Sequence, residues 1–157
     1  MKFLKNKKLM LFYAIILVFF ILDRGLKKYF LLYPQKSIYI AWTDAIYFHF
    51  VKNFGIAFSI YLYSPILIAL TIAAILFLCI LLEHSLKKNN IFYIVGSALI
   101  LLGAVSNLYD RIMYGFVVDY IDVLFFSVFN IADAMITAGI IVIFLSEFFY
   151  KGEKNVV

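Results

Sequence analysis

The stretch from Ile91 to Arg111, IFYIVGSALILLGAVSNLYDR, decides the fold class. From Ile91 to Leu108 it carries no charged side chain, and then Asp110 and Arg111 arrive together. An uncharged apolar run of about 18 residues is long enough to cross the hydrocarbon core of a bilayer as a helix. Its polar end, with Gly103, Asn107 and Arg111 spaced by four, sits on one helical face with Asp110 beside it. This is a membrane helix that finishes either at a polar cavity or in an interfacial cap with a snorkelling arginine.

The rest of the chain agrees. Its 157 residues are 66% hydrophobic, with a mean hydropathy of +1.04. Soluble domains are about 45–50% apolar, so a soluble core could not hide this surface. One domain, 1–157, is expected, an α-helical integral membrane protein with four transmembrane helices. These are placed at about 9–30, 65–82, 91–108 and 131–150. The basic start before Leu9–Leu22 is not read as a cleaved signal peptide, because Asp23-Arg24-Gly25-Leu26-Lys27 follows in place of a small-x-small site.

Two extramembrane segments are expected, at about 31–63 and 109–129. In the first, the alternation of Ile46, Phe48 and Phe50 with Tyr47, His49 and Val51 is strand-like. Trp42, Tyr33, Tyr39, Tyr47, Tyr61 and Tyr63 suit an interfacial aromatic belt. In the second, Phe116–Val123 reads as extended. A small β-rich element resting on the bilayer surface follows, with Glu83–Asn90 as a short polar turn on the other side.

The formal charge of +5 comes largely from lysines flanking apolar runs. That is a topology signal and gives no support to nucleic-acid binding, since no basic patch interleaves with stacking aromatics. It places both termini in the cytoplasm and the two extramembrane segments outside. The lone Cys79 closes no intrachain disulfide and is expected as a small buried hydrophobe. His49 and His84 fall on opposite expected sides, and no Cys/His spacing fits zinc, so neither metal nor cofactor is expected.

Ionisable groups at membrane depth cost at least about 2.5–3.5 kcal/mol each, so each needs a reason. Asp23 and Lys27 form an i,i+4 pair, either a salt bridge ending a helix or part of a site. Asn53 and Gly55 lie in a segment that alone would be an ordinary turn. Asn130 suits an N-cap with Asp133 three residues in, well placed for the helix dipole. Asp119, among Val117, Val118, Tyr120 and Ile121, is poor strand chemistry and demands a partner. Two carboxylates at one membrane face can share a proton, one activating water and the other donating to a carbonyl. Acids along a proton or ion pathway, and a non-catalytic homologue, are the competing readings.

These clusters, in this order, resemble the lipoprotein signal peptidase (signal peptidase II) family. The resemblance rests on Asn53–Phe58 (NFGIAF), Asn107–Arg111 (NLYDR), Val117–Tyr120 (VVDY) and Phe129–Asp133 (FNIAD), and runs from Asp23 to Gly139. It implies a membrane aspartic endopeptidase with Asp119 and Asp133 as its catalytic dyad. Asn53, Gly55, Asn107, Asp110, Arg111 and Asn130 would bind substrate or support the dyad, and Asp23 and Lys27 would form a structural polar pair. The implied substrate is a diacylglyceryl-modified prolipoprotein, cut just before its lipidated cysteine. A monomer in the bacterial inner membrane, in contact with lipid, is implied too. Three departures stand out: Leu26 where a small hydroxyl residue is common, Ser106 in place of a usual glycine, and a short stretch between Asp119 and Asn130.

Overall fold

The computed structural model describes residues 7–39, 46–55, 63–88 and 90–154. Four helices and a three-stranded sheet alternate along the chain: α1 (Lys7–Leu32), β1 (Ile38–Tyr39), β2 (Ile46–Asn53), α2 (Ser64–Lys88), α3 (Ile91–Tyr114), β3 (Val117–Val123) and α4 (Ile131–Lys154). By length and composition, α1, α2 and α3 are each long and apolar enough to cross a membrane. Much of their surface is bare hydrocarbon, as at Leu70, Leu76, Phe77 and Ile80 on α2. Such a face needs lipid against it.

Several helices outrun their sequence-based bounds. α3 continues to Tyr114, so Asp110 and Arg111 are helical residues rather than part of a surface segment. It stops at Gly115, whose φ of 79° is a left-handed conformation that glycine adopts without a Cβ penalty, and whose N–H donates to the Arg111 carbonyl. α2 runs through most of the expected 83–90 turn, with a Glu83–Lys87 ion pair on its last turns. The opening cap of α3 is Asn90, whose side chain accepts from the Tyr93 N–H at 3.3 Å.

Cys79 corrects an expectation: it is exposed, not buried. α2 packs chiefly against α3, so most of its circumference, Cys79 included, is free to face lipid. Trp42, Tyr61 and Ile56–Phe58 lie outside the described residues; Tyr33, Tyr39 and Tyr63 are exposed near helix and strand ends.

α3 packs most extensively on α4, and glycines set the distance. A Cβ at Gly96 would come within 2.9 Å of the Gly139 carbonyl oxygen, and one at Gly139 within 2.6 Å of the Gly96 carbonyl oxygen. A Cβ at Gly103 would lie 2.5 Å from the Ala132 carbonyl oxygen. Small residues let helix backbones approach closely where lipid supplies no hydrophobic drive for association. The contact at Gly103 sits one residue before Asp133, so this packing also fixes the start of α4.

The sheet is antiparallel in the order β1-β2-β3. Its register is broken once: Phe48 faces Ile121 but Val51 faces Asp119, so β2 carries one extra residue between them. This bulge matters. Residues opposite one another point to the same face, and a single-residue slip reverses faces. With the bulge, Asn53 lies opposite Val117, on the face that carries Asp119. A regular ladder from Phe48 onward would have turned Asn53 away. The sheet rests on α1 through Phe30, which stacks on Tyr120 with ring centroids 5.6 Å apart, beside Val118.

Candidate active site

Asp133 is held by the chain that introduces it. The Asn130 side-chain oxygen accepts from the Asp133 N–H at 2.9 Å, and Asp133 Oδ2 accepts from the Asn130 N–H at 3.3 Å. This is a reciprocal cap of two otherwise orphaned donors at the helix start. Asp133 Oδ1 accepts from Asn107 Nδ2 on α3 at 2.7 Å.

Asp119, 1% exposed, is held the same way from two sides. Asn130 Nδ2 donates to its Oδ1 at 2.7 Å, and Asn53 Nδ2 donates to its Oδ2 at 2.8 Å. Asn130 therefore touches both acids, capping one and donating to the other. Burial, and next the Asp133 charge, push Asp119 up to about 7, against the lowering pull of the Asn53 and Asn130 amides and of Lys27. An Asp with this value holds a proton at neutral pH about as often as not.

The Asn53 side chain is itself fixed, its Oδ1 accepting from the Gly55 N–H at 2.9 Å. Arg111 Nη2 donates to the Gly55 carbonyl at 3.3 Å. Asn53, Gly55, Asn107, Arg111 and Asp133 all line a cleft of about 700 Å³, and Asp119 is buried behind them. Ala134, Thr137, Ala138 and Ile141, at helical spacing along α4, form one wall, with Thr71 of α2 and the Phe126–Phe129 loop completing it. A largely apolar trough thus runs along a helix and ends at a carboxylate.

Asp110 stands apart from this group. It joins a buried charge cluster on the α1 side of α3: Arg24 Nη1 lies 2.6 Å from its Oδ1 and Lys27 Nζ 2.9 Å from its Oδ2. Its Oδ2 also accepts from the Val118 N–H at 3.2 Å, tying the start of β3 to α3. Lys27 pairs with Asp23 at 3.2 Å, the i,i+4 contact read from sequence. Asp23 Oδ1 accepts from the Tyr120 hydroxyl at 2.9 Å and the Ala132 N–H at 3.2 Å. Two acids and two bases balance, which a buried cluster needs.

Arg24, Tyr120 and Ser106 were not among the candidate site residues. Ser106 Oγ donates to Asp23 Oδ2 at 2.6 Å and accepts from Arg24 at 3.1 Å, so the serine fills a place in the cluster and does not loosen it. Its departure from the family pattern was visible in the sequence, but its partners lie some 80 positions away.

The family model described as Signal peptidase (SPase) II matches residues 15–149. The chain belongs to the signal peptidase II family. It is 38% identical over 159 aligned positions to a lipoprotein signal peptidase of Pelagibacter ubique, with 90% of each chain covered. It is 38% identical over 145 positions to one of Brucella ovis, covering 85% of this chain and 87% of the relative. Two solved structures of bacterial membrane enzymes, both obtained by the in meso method, share the fold. That at 2.3 Å resolution has a TM-score of 0.76 and 26% identity over 93% of this chain and 91% of its own. That at 1.9 Å resolution has a TM-score of 0.69 and 26% identity over 86% and 90%. As a signal peptidase II, the chain is a membrane aspartic peptidase.

Proposed function

We propose that Asp119 and Asp133 are the catalytic dyad of a peptidase that removes the signal peptide from diacylglyceryl-modified prolipoproteins, cutting just before the lipidated cysteine. The observation that carries this is Asn130, bonded at once to both acids beside an apolar cleft. Asp133, at a helix N-terminus, is favoured as the ionised member. Asp119, pushed up to about 7, is favoured as the protonated one. The ionised carboxylate takes a proton from water as the water oxygen bonds to the scissile carbonyl carbon, and the protonated carboxyl gives its proton to the carbonyl oxygen. Collapse of the tetrahedral intermediate breaks the C–N bond: the amine nitrogen takes the proton now on Asp133, one hydroxyl of the intermediate returns its proton to Asp119, and a carboxyl forms on the signal peptide.

Asn53, Gly55, Asn107, Arg111 and Asn130 hold the dyad and the substrate backbone in this reading, while Asp110, Asp23, Arg24 and Lys27 brace the helices behind them. The apolar wall from Ala134 to Ile141 suits a signal peptide and the acyl chains of the modified cysteine. A lipid on that residue pins the scissile bond at a fixed depth, which supplies positioning. α4 is the fourth span of a single 1–157 domain. The protein acts as a monomer in lipid of the bacterial inner membrane, termini in the cytoplasm and dyad at the outer face.

The test is cleavage of a diacylglyceryl-modified prolipoprotein by the purified protein in detergent, followed by gel shift, beside Asp119→Asn, Asp133→Asn and an unlipidated substrate. Wild type cutting only the lipidated substrate, with both folded variants inactive, is the expected result. Near-full activity in either variant would remove that aspartate from the dyad.

A further inference from the structure

Lys27 is fully buried, and beyond its two carboxylate partners it reaches a third: its Nζ lies 2.8 Å from Asn107 Oδ1. An ammonium has only hydrogens to offer. It therefore requires the oxygen end of the Asn107 amide to face α1, and the Nδ2 end to face α4. There Nδ2 donates to Asp133 Oδ1 at 2.7 Å. Asn130 Nδ2, a second donor, also approaches Asn107 Oδ1, at 3.3 Å. Reversing the amide would set an NH2 group against an ammonium and a carbonyl against a carboxylate.

We propose that Lys27 is a positioning residue for hydrolysis, acting through Asn107: it fixes the amide orientation that gives Asp133 its side-chain donor. The inference rests on the dyad reading above. Lys27 thereby links the charge cluster to the chemistry, which a salt bridge between Asp23 and Lys27 alone would not do. Ser106 Oγ, 3.4 Å from Nζ, and Asp110 keep the ammonium aimed.

Among the described residues, the charges around the dyad are Asp23, Arg24 and Lys27 from α1, Asp110 and Arg111 from α3, and the two dyad acids themselves. On β2, Lys52 lies over the Phe116 ring and His49 sits beside Asp122. On α2, Glu83 and Lys87 pair with each other, away from Thr71 at the cleft. Lys27 is thus the cation bonded to the amide that serves Asp133. Its removal favours protonated carboxylates.

The experiment compares Lys27→Met with wild type in detergent, using the lipidated substrate. A kcat lower by about 100-fold is expected, the scale of a misplaced reacting group. KM should rise far less than kcat falls, since Lys27 itself does not line the cleft. The acid limb of the kcat–pH profile should move to higher pH, which a loss of folded protein would not produce. Because Lys27→Met leaves two buried acids with one base, the charge-balanced Lys27→Met/Asp110→Asn is measured beside it. Side-chain 15N signals of Asn107, assigned with Asn107→Ala, should change from one amide environment to two in whichever variant folds. A folded variant that keeps kcat within about threefold of wild type, or a single Asn107 environment, overturns the proposal. Full activity in Asp119→Asn or Asp133→Asn would instead sink the dyad reading, a separate and recognisable result.

Discussion

Asn130 donates to Asp119 at 2.7 Å from the same side chain whose oxygen caps Asp133, so one amide sets the geometry of both acids. Cap and bridge are separable. Asn130→Asp keeps an oxygen for the Asp133 N–H but replaces the donor to Asp119 with a like charge. Cleavage should be lost, and thermal unfolding in detergent should come earlier at neutral pH than at low pH, where the buried carboxyls are protonated. Asn130→Ala should lose both, with a destabilisation of about 1 kcal/mol from the cap alone.

The raised value of Asp119 gives a pH signature with a definite sign. The folded state holds this proton up to about 7, whereas an unfolded Asp releases it near about 3.9. Between those limits the folded state binds more protons, so this group's contribution to stability is full at low pH and declines as pH rises through 7. The melting temperature of wild type should fall across that window more steeply than that of Asp119→Asn. Cleavage should decline on the alkaline side as the singly protonated pair disappears, with the pair titrating as a unit.

Gly103 and Gly25 are both helical glycines with opposite prospects. A Cβ at Gly103 meets the Ala132 carbonyl oxygen at 2.5 Å, a backbone atom that cannot swing aside. Gly103→Ala should push α4 away, lower the melting temperature and cut activity by about tenfold or more through displacement of Asp133. Gly25 has nothing within 4 Å of its Cβ position. Gly25→Ala should leave activity unchanged and add up to about 1 kcal/mol of stability from helix propensity. Paired melts and cleavage assays decide both.

Ser106→Ala removes the donor to Asp23 and the acceptor for Arg24 from a buried site. A loss of about 1–3 kcal/mol is expected on thermal or denaturant unfolding, the cost of leaving buried polar groups unpaired. A melting curve unchanged from wild type would show that the serine contributes nothing to the cluster.

The apolar runs, the caps and the motif residues were legible in the chain because each is a local signal. Helix length follows from consecutive apolar residues, the Asn130–Asp133 cap from a spacing of three, and the Asp23–Lys27 pair from a spacing of four. The helix ends were less legible: the third span was expected to stop at Leu108, just before Asp110 and Arg111, yet α3 carries both to Tyr114 because they find partners on α1 and at Gly55. Cys79 looked buried by residue type, but burial depends on which side of α2 meets α3.

By itself, then, the sequence determined a membrane-embedded helical chain, its family, and the residues that gather at one end of the helices. The tertiary structure alone decided how those residues meet. The bulge in β2 turns Asn53 toward Asp119, the glycine contacts between α3 and α4 fix where Asp133 starts, and Lys27 selects one face of the Asn107 amide. The physical reason is that hydrogen bonds and ion pairs are satisfied in space, by groups as far apart in the chain as Asp23 and Ala132. Hydrophobic periodicity and capping act within a few residues, whereas the orientation of a buried amide is set by whichever charge the packed helices bring to it.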